Sequence, residues 1–252
     1  MFNEVIYVVG AKFNALSELA NVITFDEYKL CVEQKKLDPK TIVVLAQGLN
    51  AEEKDQVMNL TRTSTANIVI NAYNKPAPSQ YTHKKDVKNI LVSDPVVLVS
   101  GKKFRSRLLI DDDCSEMSDH VTGVHIQGML LVEAARQLSI AVSEKFLLDS
   151  IQSTDCYFLL KSINTQFNRF IFPVDVSIEH QILDIKTLKG GFKDIVTQTA
   201  FIQNNIVATQ VDMEFRINAK HILTQTEYQI ARETIIKNTA IVTDEAYFDR
   251  VG

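Results

Sequence analysis

A helix that is apolar nearly all round must be enclosed by other structure, and residues 129–142 predict one. Met129, Leu130, Leu131, Val132, Ala134, Ala135, Leu138, Ile140, Ala141 and Val142 fill its circumference. A polar loop from Asp119 to Gly128, DHVTGVHIQG, runs straight into it. Glu133 and Arg136 interrupt the apolar run, and burying unpaired charge costs several kcal/mol, roughly. They must either pair with each other at i, i+3 or face a site.

The flanking segments supply the enclosure. Upstream, 90–99 is a β-rich run interrupted by Asp94 and Pro95, and 104–110 returns as a strand after a turn at Gly101. Downstream, 156–172, 174–186 and 195–217 are further β segments, the last split by a hairpin turn at Gln203, Asn204 and Asn205. Val207, Thr209, Val211, Met213, Phe215 and Ile217 alternate onto one face of a half-buried antiparallel strand. One buried helix, over about 126–148, with five or six such strands has one obvious packing, the sheet curled around the helix. A terminal helix is expected over 226–238, with a loosely ordered tail.

The first 73 residues read differently. Short β-rich runs at 4–10, 22–25, 41–46 and 66–73 alternate with helical patterns. Asp26 is expected to cap a helix running to Leu37, and Asn50 to cap one over 51–60. Alternating strands and helices imply βα units and a mainly parallel sheet. The first βα turn has only Gly10, with no glycine-rich phosphate motif, so a docking or dimerisation module fits better than a nucleotide site. Residues 74–81, with two prolines and small polar residues, read as a linker, and His83, Lys84 and Lys85 beyond it as a solvated charge cluster. The expected organisation is α+β: a small α/β domain over 1–73, a linker over 74–81, the wrapped-helix domain over 82–220, and a C-terminal helix and tail over 221–252.

Composition removes several classes of function. A net charge of −4 lacks the basic footprint of a nucleic-acid binder. No apolar run approaches the roughly 20 residues of a membrane span, and the start of the chain has no signal-peptide pattern. Cys31, Cys114 and Cys156 show neither metal-ligand spacing nor a disulfide framework. The expectation is a cytoplasmic protein without a metal or resident cofactor.

The motif DHVTGVHIQGMLLVEAARQ resembles the A-factor biosynthesis hotdog family, whose members make γ-butyrolactone signals or related acyl products. The upstream HKKDVKNILVSDPVVLVSGKKFRSRLLIDDD is similar to that family's lead-in strands, and the likeness covers about residues 82–217. The resemblance implies the hotdog fold, an antiparallel sheet wrapped around one central helix. More broadly, the motif resembles 3-hydroxyacyl-carrier-protein dehydratases. There, a loop histidine and a helix carboxylate form the site across a dimer interface, and the glycine at the helix start binds the thioester carbonyl. This chain departs from them in three ways. Val121 and Thr122 replace Phe-Pro, Gln127 replaces the proline before the glycine, and His120 lies one residue nearer Glu133. Butyrolactone synthases resemble tandem hotdogs, whereas this chain has room for one, so a homodimer would supply the second.

Bottom-up chemistry agrees with that region. Gly128 lets backbone approach a ligand, with Met129 beside it, and the helix N-terminus favours negative charge developing on a thioester carbonyl. His120, or His125, is placed to move a proton there. Glu133, in an apolar helix, should have a raised pKa suited to acid–base work. Arg136 suits either a phosphate or the ion pair, and Gly123 shapes the loop. The expected function is action on acyl or β-ketoacyl thioesters carried by carrier protein or coenzyme A, by acyl transfer or dehydration. The alternative is a non-catalytic acyl-binding or scaffolding subunit with the N-terminal domain as its docking module.

Overall fold

The computed structural model describes residues 5–63, 67–68, 75–117, 123–148 and 156–243. Strands β1 (Val5–Val9), β2 (Val22–Thr24), β3 (Ile42–Leu45) and β4 (Asn67–Ile68) form a parallel sheet in the order β2-β1-β3-β4. Helices α1 (Phe25–Glu33) and α2 (Ala51–Thr63) cover one face around a core that includes Ile6, Val8, Tyr28, Leu49 and Val57. The cap of α1 is Thr24, not Asp26. Its hydroxyl accepts from the Glu27 amide while the Glu27 carboxylate accepts from the Thr24 amide. That reciprocal pair starts the helix two residues earlier than an Asp26 cap would. Only Asn67 and Ile68 of the expected strand over 66–73 lie among the described residues.

The second sheet has six antiparallel strands, β5 (Val96–Val99), β6 (Lys103–Arg107), β7 (Cys156–Phe167), β8 (Ser177–Thr187), β9 (Lys193–Gln203) and β10 (Ile206–Ala219), in the order β5-β6-β8-β9-β10-β7. It curls around the helix Gly128–Val142, which we number α4 because a short helix α3 (Ser79–Thr82) precedes it. This is the hotdog arrangement. Leu130, Leu131, Ala134, Ala135, Leu138, Ala141 and Val142 are all buried, as all-round apolarity requires. On the sheet, Phe104, Ile178, Ile195, Phe201, Val211, Met213, Phe215 and Ile217 meet the helix. Asn204 and Asn205 both adopt positive φ, 51° and 61°, which lets a two-residue turn close the β9–β10 hairpin. Val207 departs from the expected face. The register with β9 shifts between Val207 and Thr209, leaving Val207 exposed and Ala208 buried.

The two sheets share one core. Val9, Phe13, Val22 and Ala46 belong to the same buried cluster as the hotdog interior. Gln47, beyond the carboxyl end of β3, ties them together: its amide nitrogen donates to the Leu108 carbonyl (2.9 Å) and its oxygen accepts from the Ile110 amide (2.7 Å). Open α/β sheets bind ligands in the crevice at the carboxyl ends of their strands. Here that edge receives the hotdog domain. Gly10 and Gly48 meet so closely that a Cβ on Gly10 would lie 1.5 Å from the Gly48 carbonyl oxygen.

Within residues 75–82, Ala77 and Thr82 are buried while Lys75 and Gln80 are exposed. Ala77 is buried and donates its amide to the Val92 carbonyl, and Pro76 bridges Ser93. The last helix, α5 (Lys220–Thr243), is longer than the expected 226–238 and begins directly at the end of β10. Tyr228, Ile230, Ile235 and Ile236 on it are exposed.

Candidate functional site

Glu133 and Arg136 face each other. Arg136 donates from Nε and Nη2 to the two carboxylate oxygens at 2.7 and 2.8 Å, and Gln137 Nε2 adds a third bond at 3.1 Å. A third partner comes from outside the helix. Lys84 Nζ lies 2.8 Å from Glu133 and 2.8 Å from Glu116, with about a fifth of its side chain exposed. Lys84 is therefore the hub of a half-buried network, not part of a solvated linker. Burial alone would raise the Glu133 pKa, but hydrogen bonds from Arg136, Lys84 and Gln137 outweigh it and hold the carboxyl at about 2. This reverses the expected raised pKa: a carboxylate with three donors cannot easily take up a proton near neutrality.

Gln137 was not singled out from the sequence, and it anchors the network's floor. Fully buried, it accepts from the Leu91 amide and donates to the Asn89 carbonyl, each at 2.9 Å. Gln127, standing where the dehydratases carry proline, makes no capping bond but donates to the Glu116 carbonyl at 2.6 Å. The loop, the 3-10 turn at Ser115–Met117 and α4 are thereby tied around Glu116 and Glu133.

The start of α4 is aromatic. A Cβ on Gly128 would lie 2.8 Å from two ring carbons of Phe167, so glycine lets that ring seat against the helix. His125 is exposed and packs its ring 4.8 Å from Phe170. Met129 and Gly123 are exposed as well. Among the described residues, then, the structure joins Glu133 to Arg136, while His125 and Gly128 meet the phenylalanines. His120 lies outside the described residues.

The other end of α4 holds residues that sequence reading missed. Arg136, Ile140 and Glu144 recur at four-residue spacing, so the stripe that begins at Glu133 runs on past the end of α4 into a π-type turn, Ser143–Leu147. Glu144 Oε1 lies 2.6 Å from His83 Nε2. That spacing was legible, but the partner, 61 residues away, was not. His83 also sets its ring edge-on to Phe158, with centroids 5.4 Å apart. A cleft of about 610 Å³ opens here, lined by Tyr81, His83, Arg136, Glu144, Tyr157 and Phe158 among others. Beside it a small apolar slot of about 50 Å³ lies between α4 and the β7–β10 side of the sheet, walled by Ile140, Phe158, Leu160, Met213 and Phe215. Arg136, Ile140 and Phe158 border both spaces. A polar mouth with a narrow apolar extension can take an amphipathic ligand whose tail enters the slot.

Among the described residues no helix is long and apolar enough to cross a membrane. No curated protein matches the chain. Solved structures that resemble it include a conserved protein of Pseudomonas aeruginosa (14% identity, 57% of this chain and 100% of that one, TM-score 0.40). A thioesterase from Haemophilus influenzae is also similar (10% identity, 69% of this chain and 94% of that one, TM-score 0.38). So is a variant of a Pseudomonas aeruginosa thioesterase (9% identity, 66% of this chain and 93% of that one, TM-score 0.38). The A-factor biosynthesis hotdog domain (AfsA) matches residues 69–219, more than half of the sequence and the whole of the curled sheet with its helix. The chain belongs to that family.

Proposed function

We propose that this protein acts on acyl or β-ketoacyl thioesters carried by coenzyme A or a carrier protein, transferring the acyl group, with no resident cofactor. The observation that carries this reading is the polar cleft with an apolar slot beside it along α4, the two sharing Arg136, Ile140 and Phe158, within a hotdog domain of the A-factor biosynthesis family. An acyl tail supplies apolar surface at about 0.8 kcal/mol per buried methylene, which suits a slot walled by isoleucine, leucine, methionine and phenylalanine. Acyl transfer suits the site better than dehydration, because the helix carboxylate that dehydration would use is held ionised by its three donors.

Titration calorimetry with acetyl- and octanoyl-coenzyme A tests the assignment. Octanoyl-coenzyme A is expected to bind more tightly, and Leu160→Trp, on the open side of the slot, to weaken it more than the acetyl compound. Binding that is absent, or indifferent to chain length, would sink the reading.

A non-catalytic acyl-binding subunit is the second reading, favoured by the ion network that immobilises Glu133. Either way, the working unit we propose is a homodimer. Strand β7 runs for 12 residues at the edge of the sheet, with Leu159, Leu160, Ile163 and Phe167 exposed. A long apolar edge left open is a pairing template. Sedimentation is expected to show a dimer at micromolar concentration, and Ile163→Pro, which removes a backbone donor, to shift it toward monomer. A wild-type monomer would refute the pairing.

A further inference from the structure

Resting on the thioester reading above, we propose that His83, held by Glu144, is the general base of this site, taking the proton from a hydroxyl group that attacks the thioester carbonyl. Three observations place it. First, the pair is asymmetric: the Glu144 side chain is only 3% exposed, whereas that of His83 is 37% exposed and borders the cleft. A buried carboxylate behind an accessible imidazole orients the ring and leaves its other nitrogen for a ligand. In this role the neutral ring donates its Nε2–H to Glu144 Oε1 and keeps its lone pair on Nδ1. Nδ1 has no hydrogen-bond partner among the described residues.

Second, His83 pays a backbone cost for its place. It ends α3 in the left-handed region, φ 54° and ψ 32°, where glycine or asparagine would sit with less strain. A residue needed only to close that turn would not have to be histidine. Third, Glu144 stands in the π-type turn after α4, on the same stripe as Arg136 and Ile140. The dyad thus lines the cleft that shares Arg136, Ile140 and Phe158 with the apolar slot, so a thioester carbonyl in the cleft would have its acyl chain directed toward the slot.

The step balances without another cofactor. As the hydroxyl oxygen bonds to the carbonyl carbon, His83 Nδ1 takes its proton. When the carbon–sulfur bond breaks, the imidazolium returns that proton to the departing thiolate, giving an ester and a free thiol. With water as the nucleophile, the same steps give a carboxylic acid.

Thiol release from octanoyl-coenzyme A, with water and then with glycerol as nucleophile, tests the role. His83→Gln and His83→Ala are expected to lower kcat on the order of a hundredfold or more while leaving octanoyl-coenzyme A binding intact. Glu144→Gln, a positioning change, should lower kcat with KM nearly unchanged. If folded His83 variants release thiol at the wild-type rate, the base is elsewhere and this assignment falls while the thioester reading stands. Wild-type binding without thiol release to either nucleophile also overturns the assignment alone. Failure of the wild type to bind octanoyl-coenzyme A overturns both.

Discussion

Acidification from pH 7.5 to pH 5 is expected to cost this protein about 2 kcal/mol through a single side chain, His180. Its ring is fully buried on the concave face of β8, beside Phe104. Nδ1 pairs with the Thr199 hydroxyl at 2.9 Å, and Nε2 is buried without a hydrogen-bond partner among the described residues. Burial disfavours the imidazolium and pushes its pKa down to about 3. The unfolded chain binds the proton near pH 6.5, so between the two values it holds more protons than the folded state, and acid favours unfolding. Stability from keeping the ring neutral is complete above about pH 6.5 and is lost progressively as pH falls toward 3, to a limit of about 5 kcal/mol. Urea unfolding at pH 7.5, 6 and 5 would measure the slope. The double variant His180→Leu/Thr199→Val removes the ring and the hydroxyl it would orphan, and should flatten the slope between pH 6 and 5. An unchanged slope would show that this histidine does not titrate on unfolding.

Glu133→Gln is expected to remove about 3 kcal/mol at pH 7, which for a chain of this size lowers Tm by about 6–12 °C. Arg136 and Lys84 would lose the charge that compensates their burial, and Lys84 would fall back on Glu116 alone. The pH dependence has its own window. Because the folded pKa is depressed to about 2, the stabilisation is complete above the ordinary carboxylate range and disappears as pH falls from about 4.5 toward 2. The gap between wild type and variant should therefore shrink from about 3 kcal/mol at pH 7 to about 1 kcal/mol at pH 3. Asp194, which Arg216 holds at about 2, titrates in the same range, so only the difference between the two proteins isolates Glu133. A variant as stable as wild type at pH 7 would mean that Glu133 is held ready for a ligand rather than for the fold. Above about pH 4.5 the slope reports His180 and not Glu133; below it both titrate, and the difference between wild type and the Glu133 variant isolates the carboxylate.

Much of the architecture was legible from periodicity alone. The apolar residues from Leu130 to Val142 demanded enclosure, and alternation along β10 supplied the wall. Both signals are local, because helix and strand periods are properties of neighbouring residues. The Glu133–Arg136 pair was legible for the same reason, since i, i+3 side chains share a helix face.

Tertiary structure alone decided what surrounds those residues. Lys84 reaches Glu133 across 49 positions and adds to Arg136, the larger influence, in holding ionised a carboxylate expected to be easily protonated. Phe167 fills the space that Gly128 leaves, and a register shift moves Val207 off the buried face. His83 looked like one more polar residue in a charged cluster until the fold set it against Glu144. Local sequence carries the period of an element and hence which face is buried. Which distant charge or ring meets that face depends on chain crossing, and it is this pairing that sets pKa and the shape of the cleft.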